Sequence, residues 1–263
     1  MKTDLLQPKS IKEILQEQIE TGLHEYNRPK GSLLLSAFNA GLEIGFSVLL
    51  MGVIYTLFKG EMSKASLTMA IAFSYPIGFL FVIIGRSELF TEHTNVALHP
   101  VLNGDKSIGQ LLYLWGTILL GNVIGGACIG AFLTWMGPAM KIIDVEAFTY
   151  LAKKMTKHEP LVMLGSALLA GWMMGLLSWL LSAAKETVSR IIMVIVITTV
   201  IGIGGLHHCI VGSVELFCGW LLNPGLGAGK ALLTLGIAIV GNVIGGAFFV
   251  ATLKYGNVVT SEE

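Results

Sequence analysis

Charge is what this sequence has least of. Only 13% of its 263 residues are Asp, Glu, Lys or Arg, while 54% are apolar; the charged share is about half that of a soluble globular protein. So few charges cannot cover a water-facing surface of this size, which argues against an ordinary soluble enzyme. Net charge is absent too, 17 basic residues balancing 17 acidic ones. The basic excess that holds a phosphate backbone is missing, and no nucleic-acid partner is expected. Cysteine is sparse. Cys128, Cys209 and Cys218 all lie in apolar stretches, where they read as small core residues and not as a disulfide framework. The first thirty residues are polar and contain no apolar core of a cleavable signal. No spaced His/Cys/carboxylate motif of the HExxH kind occurs. The neighbours His207 and His208 would point about 100° apart on a helix, a poor chelate. An intramembrane metalloenzyme is therefore disfavoured, and no metal, cofactor or catalytic residue is expected.

Long apolar sequence is abundant, and mean hydropathy is +0.74. Apolar runs near 33–57, 66–98, 110–136, 161–183, 191–221 and 231–253 are each long enough to cross roughly 30 Å of hydrocarbon. The expectation is an all-α membrane protein with six transmembrane helices and both termini on one side. Residues 1–30 form an amphipathic N-terminal segment, 31–255 the membrane domain and 256–263 a tail. Within the first segment Ile11, Ile14, Leu15, Ile19 and Leu23 share one helical face, and Ser10 with Glu13 forms a capping-box signature. This helix is expected to lie on the membrane or against a neighbouring subunit. The side carrying both termini holds nine Lys/Arg and the other side seven. That bias points to cytoplasmic termini in a multi-pass protein of the cell (inner or plasma) membrane.

The sequence repeats itself. Ala40 to Gly45 in span 1 matches Ala170 to Gly175 in span 4, and Gly121 to Ala127 in span 3 is identical to Gly241 to Ala247 in span 6. Ser87-Glu88-Leu89-Phe90 in span 2 is matched to Val214-Glu215-Leu216-Phe217 in span 5. Repeat 1 covers about 31–136 and repeat 2 about 161–253. Three crossings per copy force the second copy to enter the membrane inverted, an arrangement of transporters and channels with the path near the repeat interface. The small residues suit close helix packing, and Asn122 and Asn242 suit interhelical hydrogen bonds.

Spans 2 and 5 are interrupted. Span 5 meets Gly204-Gly205-Leu206-His207-His208, and span 2 carries Pro76 and Gly78 before Gly85-Arg86-Ser87-Glu88. Non-helical backbone at membrane depth is tolerated only where it is buried in protein or lines a wet cavity. The N-terminus of a half-helix suits a small anion. Intramembrane ionisable groups mark function or pairing. Glu43 and Arg86 are expected to form a buried ion pair, or Arg86 to line the path. Glu88 and Glu215, taken as repeat equivalents, brace the broken helices. His208, at a glycine break, is the ionisable residue best placed to act on a substrate, ahead of its neighbour His207. His93 and His99 are expected near an interface.

The Gly-x-x-Glu88-Leu89-Phe90-Thr91 run, the His208-Cys209-Ile210-Val211 segment and the Asn-x-x-Gly motifs of spans 3 and 6 resemble the formate/nitrite transporter family over roughly residues 30–253. The resemblance implies an aquaporin-like protomer with an inverted 3+3 repeat and interrupted helices 2 and 5. It also implies a homopentamer and a path for a small monovalent anion through each protomer. By position, Thr91 is similar to the family's threonine at the break of span 2 and His208 to its central histidine. Leu89 and Phe90 would belong to the apolar narrowing. Lys157 is the nearest candidate for the family's vestibule lysine, with Lys153 and Lys154 as alternatives. Arg86 stands where the family has Gly, Glu92 where it has a small residue, and Gly212 where it has Asn. Those departures suggest a divergent branch.

The expected mechanism follows from desolvation. A bare anion entering an apolar narrowing carries a large cost that protonation removes, and histidine exchanges protons near neutral pH. Lys157 would gather a weak-acid anion, and His208 with Thr91 would bind it and couple it to a proton. The alternatives are a neutral-solute or water channel of related shape, and a membrane scaffold whose path Glu43 and Arg86 close.

Overall fold

The computed structural model describes residues 7–260, and every regular element among them is helical. Helix α1 (Ile11–Asn27) starts at a capping box formed by Ser10 and Glu13. Six helices are long and apolar enough to cross a membrane. The first is α2 (Lys30–Phe58). The second runs through α3 (Lys64–Ser74) and α4 (Pro76–Gly85), joined where Pro76 removes a backbone donor. Two short pieces follow, α5 (Phe90–Val96) and α6 (His99–Leu102). The third is α7 (Ile108–Ala139), after which α8 (Val145–Thr156) caps the face opposite α1. The fourth and fifth are α9 (Pro160–Ala183) and α10 (Thr187–Gly204), and α10 is followed by the shorter apolar α11 (Cys209–Leu222). The last crossing is α12 (Ala228–Gly246), which passes through a π-turn over 247–252 into α13 (Leu253–Thr260). It therefore runs past 255, where a tail was expected.

Helix α2 packs along α7, and α9 packs along α12 in the same way. Lipid offers no hydrophobic drive for such pairing, so it depends on close backbone approach. Glycine supplies it. A Cβ on Gly41 would stand 2.2 Å from the Asn122 carbonyl oxygen, and one on Gly171 would stand 2.2 Å from that of Asn242.

The two asparagines also fix the register of the repeat. Asn122 Nδ2 donates to the carbonyls of Ala37 (2.7 Å) and Glu88 (2.8 Å), and its Oδ1 accepts from the Phe90 amide (2.8 Å). Asn242 does the same with Ala167 (2.7 Å), His207 (2.9 Å) and the Cys209 amide (2.8 Å). Glu88 is thus equivalent to His207, and Leu89 to His208. The sequence match of Glu88 to Glu215 is out of register: Glu215 lies eight residues beyond His207 on α11. The Glu-Leu-Phe triplet shared by the two spans misled it, whereas the asparagine contacts depend on backbone position alone.

Helix α1 packs on its own chain. Ile14, Leu15 and Ile19 cluster with Trp179, Val250 and Val258. Gln18 Nε2 donates to Ser178 O and Ser182 Oγ, and Gln18 Oε1 accepts from Asn95. The apolar face of α1 is thus seated on its own chain. Cys209 and Cys218 are buried as expected, but Cys128 is exposed.

Candidate substrate path

Both long helices that precede a break end in the left-handed region, α4 at Arg86 (φ 60°, ψ 41°) and α10 at Gly205 (φ 58°, ψ 35°). The next amide turns back in each case: Ser87 donates to Val82 O at 2.9 Å and Leu206 to Ile201 O at 3.0 Å. The chain then runs extended to Leu89 and His208, which cap α5 and α11. The first amide of each new helix is taken by Asn122 or Asn242. Those two donors are therefore occupied and are not open to an anion, contrary to the simplest reading of a bare half-helix end.

This geometry brings His208 to Thr91. The ring is buried, 1% exposed. Its Nδ1 accepts from the Val211 amide at 3.3 Å, so the neutral ring carries its proton on Nε2. Nε2 lies 2.8 Å from Thr91 Oγ1 and donates to it. Thr91 keeps its own hydroxyl hydrogen to offer elsewhere. The Phe79 ring stands edge-on to the imidazole at 5.0 Å between centroids, and Tyr75 lies 5.4 Å beyond Phe79. Leu89 is fully buried. Phe90 is buried as well and meets Trp115 edge-on at 6.5 Å. Tyr75 and Phe79 were not singled out from the sequence. Their spacing of four residues, Tyr75 at the cap of α4 and Phe79 within it, leading into the break, is the signal that would have found them.

His207 turns away. Its Nε2 donates to Met155 O and its Nδ1 accepts from Ser166 Oγ, both at 2.9 Å, so it is a satisfied neutral residue that anchors the loop.

A cavity opens on each face of the protomer, and neither is bordered by His208 or Thr91 themselves. On the α1 face it has about 700 Å³, bordered by His24, Arg28, Arg86, Glu92 and Arg190 among others. On the α8 face it has about 20 Å³ and is bordered by Tyr75, Lys154, Gly205, Leu206 and Glu215. Lys154 is thus the lysine that borders this small cavity. A Cβ on Gly205 would lie 3.0 Å from its Cε. Desolvation pulls its ammonium below the ordinary lysine value, Glu215 opposes that fall, and Lys157 adds to it. Lys157 itself ends α8 and is exposed, as is Lys153, whereas Lys154 is half-buried.

Glu43 and Arg86 form no ion pair. Glu43 Oε1 accepts from Asn39 Nδ2 at 2.7 Å, and Asn39 also reaches Ser87 Oγ at 3.0 Å. Arg86 is exposed at the rim of the larger cavity. Its left-handed backbone turns the side chain outward, and the expected contact is lost for that reason. Glu88 does brace its loop: it pairs with Arg28, and His93 Nε2 lies 2.8 Å from its Oε2. Arg28 also bonds Glu25 at 2.8 Å. Burial works against the Arg28 charge, but the two carboxylates outweigh it and hold the guanidinium above its ordinary value. Glu25, Glu88 and His93 bring ligand-type atoms within 4.8 Å of one another. Arg28 already bridges the two carboxylates, so the cluster is a closed ion-pair network and not an open metal site. His99 is wholly buried and packs near Trp179, at 6.1 Å.

Six apolar crossings in two matching sets of three, two of them broken around a buried histidine between opposed cavities, define a membrane transport protein of channel-like build. The chain belongs to the formate/nitrite transporter family, whose model matches residues 12–256. It is 32% identical to the inner membrane protein YfdC of Escherichia coli K12, over 91% of this chain and 76% of that one. It is 26% identical to the nitrite transporter NirC of the same organism, over 87% and 86%. Two solved structures share the fold. An FNT family ion channel superposes with a TM-score of 0.80 at 20% identity, over 97% of this chain and 99% of that one. A pentameric formate channel with formate bound superposes with 0.73 at 18% identity, over 88% and 98%.

Proposed function

We propose that this protein passes small monovalent weak-acid anions of the formate and nitrite kind across the cell membrane, with a proton, through a point formed by His208 and Thr91. The observation that carries the reading is the 2.8 Å bond between these two side chains, where both broken spans meet between two cavities. An imidazole whose Nε2–H faces Thr91 can hydrogen-bond an arriving anion; once it has taken a second proton from the aqueous side, the imidazolium can pass one proton to the anion and return to the neutral ring. The neutral acid then crosses the apolar collar of Phe79 and Leu89 without the cost of a bare charge. Lys154, in place of Lys157, gathers the anion on the α8 face, and Arg86 stands at the rim of the opposite vestibule. Phe90 supports the collar from behind. The protomer acts within a homopentamer, as does the formate channel that shares its fold, and both termini face the cytoplasm, as the Lys/Arg bias favours.

Reconstitution into liposomes with a panel of weak acids tests this. Formate and nitrite flux should rise as external pH falls, with glycerol excluded. His208→Ala should lose most of the flux and its pH dependence. Unchanged flux and unchanged pH dependence in that variant would remove His208 from the mechanism, and glycerol permeation would favour a neutral-solute channel.

A further inference from the structure

Glu215 is a buried carboxylate that no motif of the sequence explains. It projects from α11 into the small cavity on the α8 face, where Lys154 enters from α8 and Tyr75 closes the side toward Phe79 and His208. The residue is 6% exposed and forms no ion pair within 4.0 Å among the described residues, although Lys154 feels its charge. About 20 Å³ separates the groups that border this cavity, space for one water and little more. The other titratable groups that sense Glu215 are the Tyr75 hydroxyl and the Cys218 thiol, so Lys154 is the one cation among them. A lone ammonium here would hold an anion strongly and release it slowly. A carboxylate one water away cancels most of that field and leaves a weak, fast site.

We propose that Glu215 is a specificity-determining residue that sets the anion affinity of the α8-face entrance by offsetting the charge of Lys154. This rests on the reading that Lys154 stands on the anion path. It accounts for a carboxylate where an anion must pass, which simple repulsion would forbid.

The test is the saturation of formate uptake by the full-length protein in proteoliposomes at fixed pH and ionic strength. Glu215→Gln should lower KM by roughly tenfold, the scale of one partly screened charge several ångströms away, with the maximal rate falling as release slows. Lys154→Gln should raise KM by a similar factor, and the double variant should return to within about threefold of wild type, because the opposed fields of the two charges add at the anion. If Glu215→Gln leaves KM unchanged or raises it, or if the double variant stays near either single variant, the proposal is overturned. If Lys154→Gln leaves KM unchanged, the placement of Lys154 on the path fails first, and the two failures are thereby told apart. Should the glutamine variant not assemble, Glu215→Met supplies the neutral side chain. Failure of both to assemble beside an intact Lys154→Gln protein would mark Glu215 as a structural brace and also overturn the proposal.

Discussion

Arg86 and Gly205 occupy the same left-handed turn at the ends of equivalent helices, with φ of 60° and 58°. For glycine that conformation is free of steric cost, whereas a residue with a Cβ loses about 1–2 kcal/mol there. Arg86 gains no ion pair with Glu43 in return. Arg86→Gly should therefore stabilise the protein by about 1 kcal/mol, read as a higher midpoint in thermal unfolding of the detergent-solubilised protein. Its effect should add to that of Glu43→Gln with no coupling. A loss of stability, or strong coupling between the two, would restore the ion pair that the sequence suggested.

The asparagine pair should be less forgiving. Asn242 satisfies one amide and two carbonyls at the break that carries His208. Each buried polar group left unsatisfied costs about 1–3 kcal/mol, so Asn242→Ala should cost about 3 kcal/mol or more. It should also free the His208 loop. The expected outcome is a lower yield of assembled protein, and flux lost in proportion to that yield or further. Asn122→Ala should be similar in stability, since its bonds are the same, but it acts on the loop of Glu88 and Leu89.

These two sites also mark what was legible from the chain. The identical Gly121–Ala127 and Gly241–Ala247 segments revealed the repeat because close packing allows few substitutes for glycine, and the breaks showed as glycine and charge inside apolar runs. The pairing of spans 2 and 5 was not legible. Their equivalent residues, Glu88 with His207 and Leu89 with His208, differ in type, so only the asparagine hydrogen bonds reveal the match. Thr91 and His208 could be named, but not their contact, which joins two segments 117 residues apart. The choice among Lys153, Lys154 and Lys157 was left open by the sequence. Lys154 and Lys157 lie on adjoining turns, and only the packing of α8 on α11 decides which one points inward. The seat of α1 depended on Ser178, Ser182 and Asn95, ordinary polar residues with no motif of their own.

Glycine substitutions separate packing from flexibility. Gly171→Ala would bring a Cβ within 2.2 Å of the Asn242 carbonyl oxygen, while a Cβ on Gly165, in the same helix, meets nothing within 4 Å. The first should prevent α9 from seating on α12 and abolish recovery of folded protein. The second should be tolerated and should gain about 0.5–1 kcal/mol from helix propensity, unless a neighbouring subunit covers that face. Equal behaviour of the two variants in expression and thermal unfolding would remove close approach as the basis of the α9–α12 contact.

The position of α8, and so of Lys154, is held from outside the membrane by Lys59. Its ammonium lies 3.1 Å from Asp144 and bonds Glu146, which also accepts from the Tyr55 hydroxyl at 2.9 Å. Hydrogen bonds from Lys59 and Tyr55 hold the Glu146 carboxyl below its ordinary value, and hydrogen bonds to Glu146 and Asp144 hold Lys59 above its own. A depressed carboxylate contributes fully above its unfolded pKa and ceases to contribute as pH falls through the folded one. A raised lysine contributes fully below its unfolded pKa and loses its effect as pH climbs through the folded one. The latch should therefore be intact through neutral pH and weaken only at the two extremes. Exposed pairs of this kind add little to global stability, so the effect should be local. Amide protection factors over 145–156, each referred to the intrinsic exchange rate at that pH, should be high and flat near neutrality, fall in acid below the ordinary carboxylate range, and be low at all pH in Lys59→Met. If those protection factors already vary between pH 6 and 8, a group other than this pair governs α8, and the anchoring of Lys154 must be sought in its contact with α11.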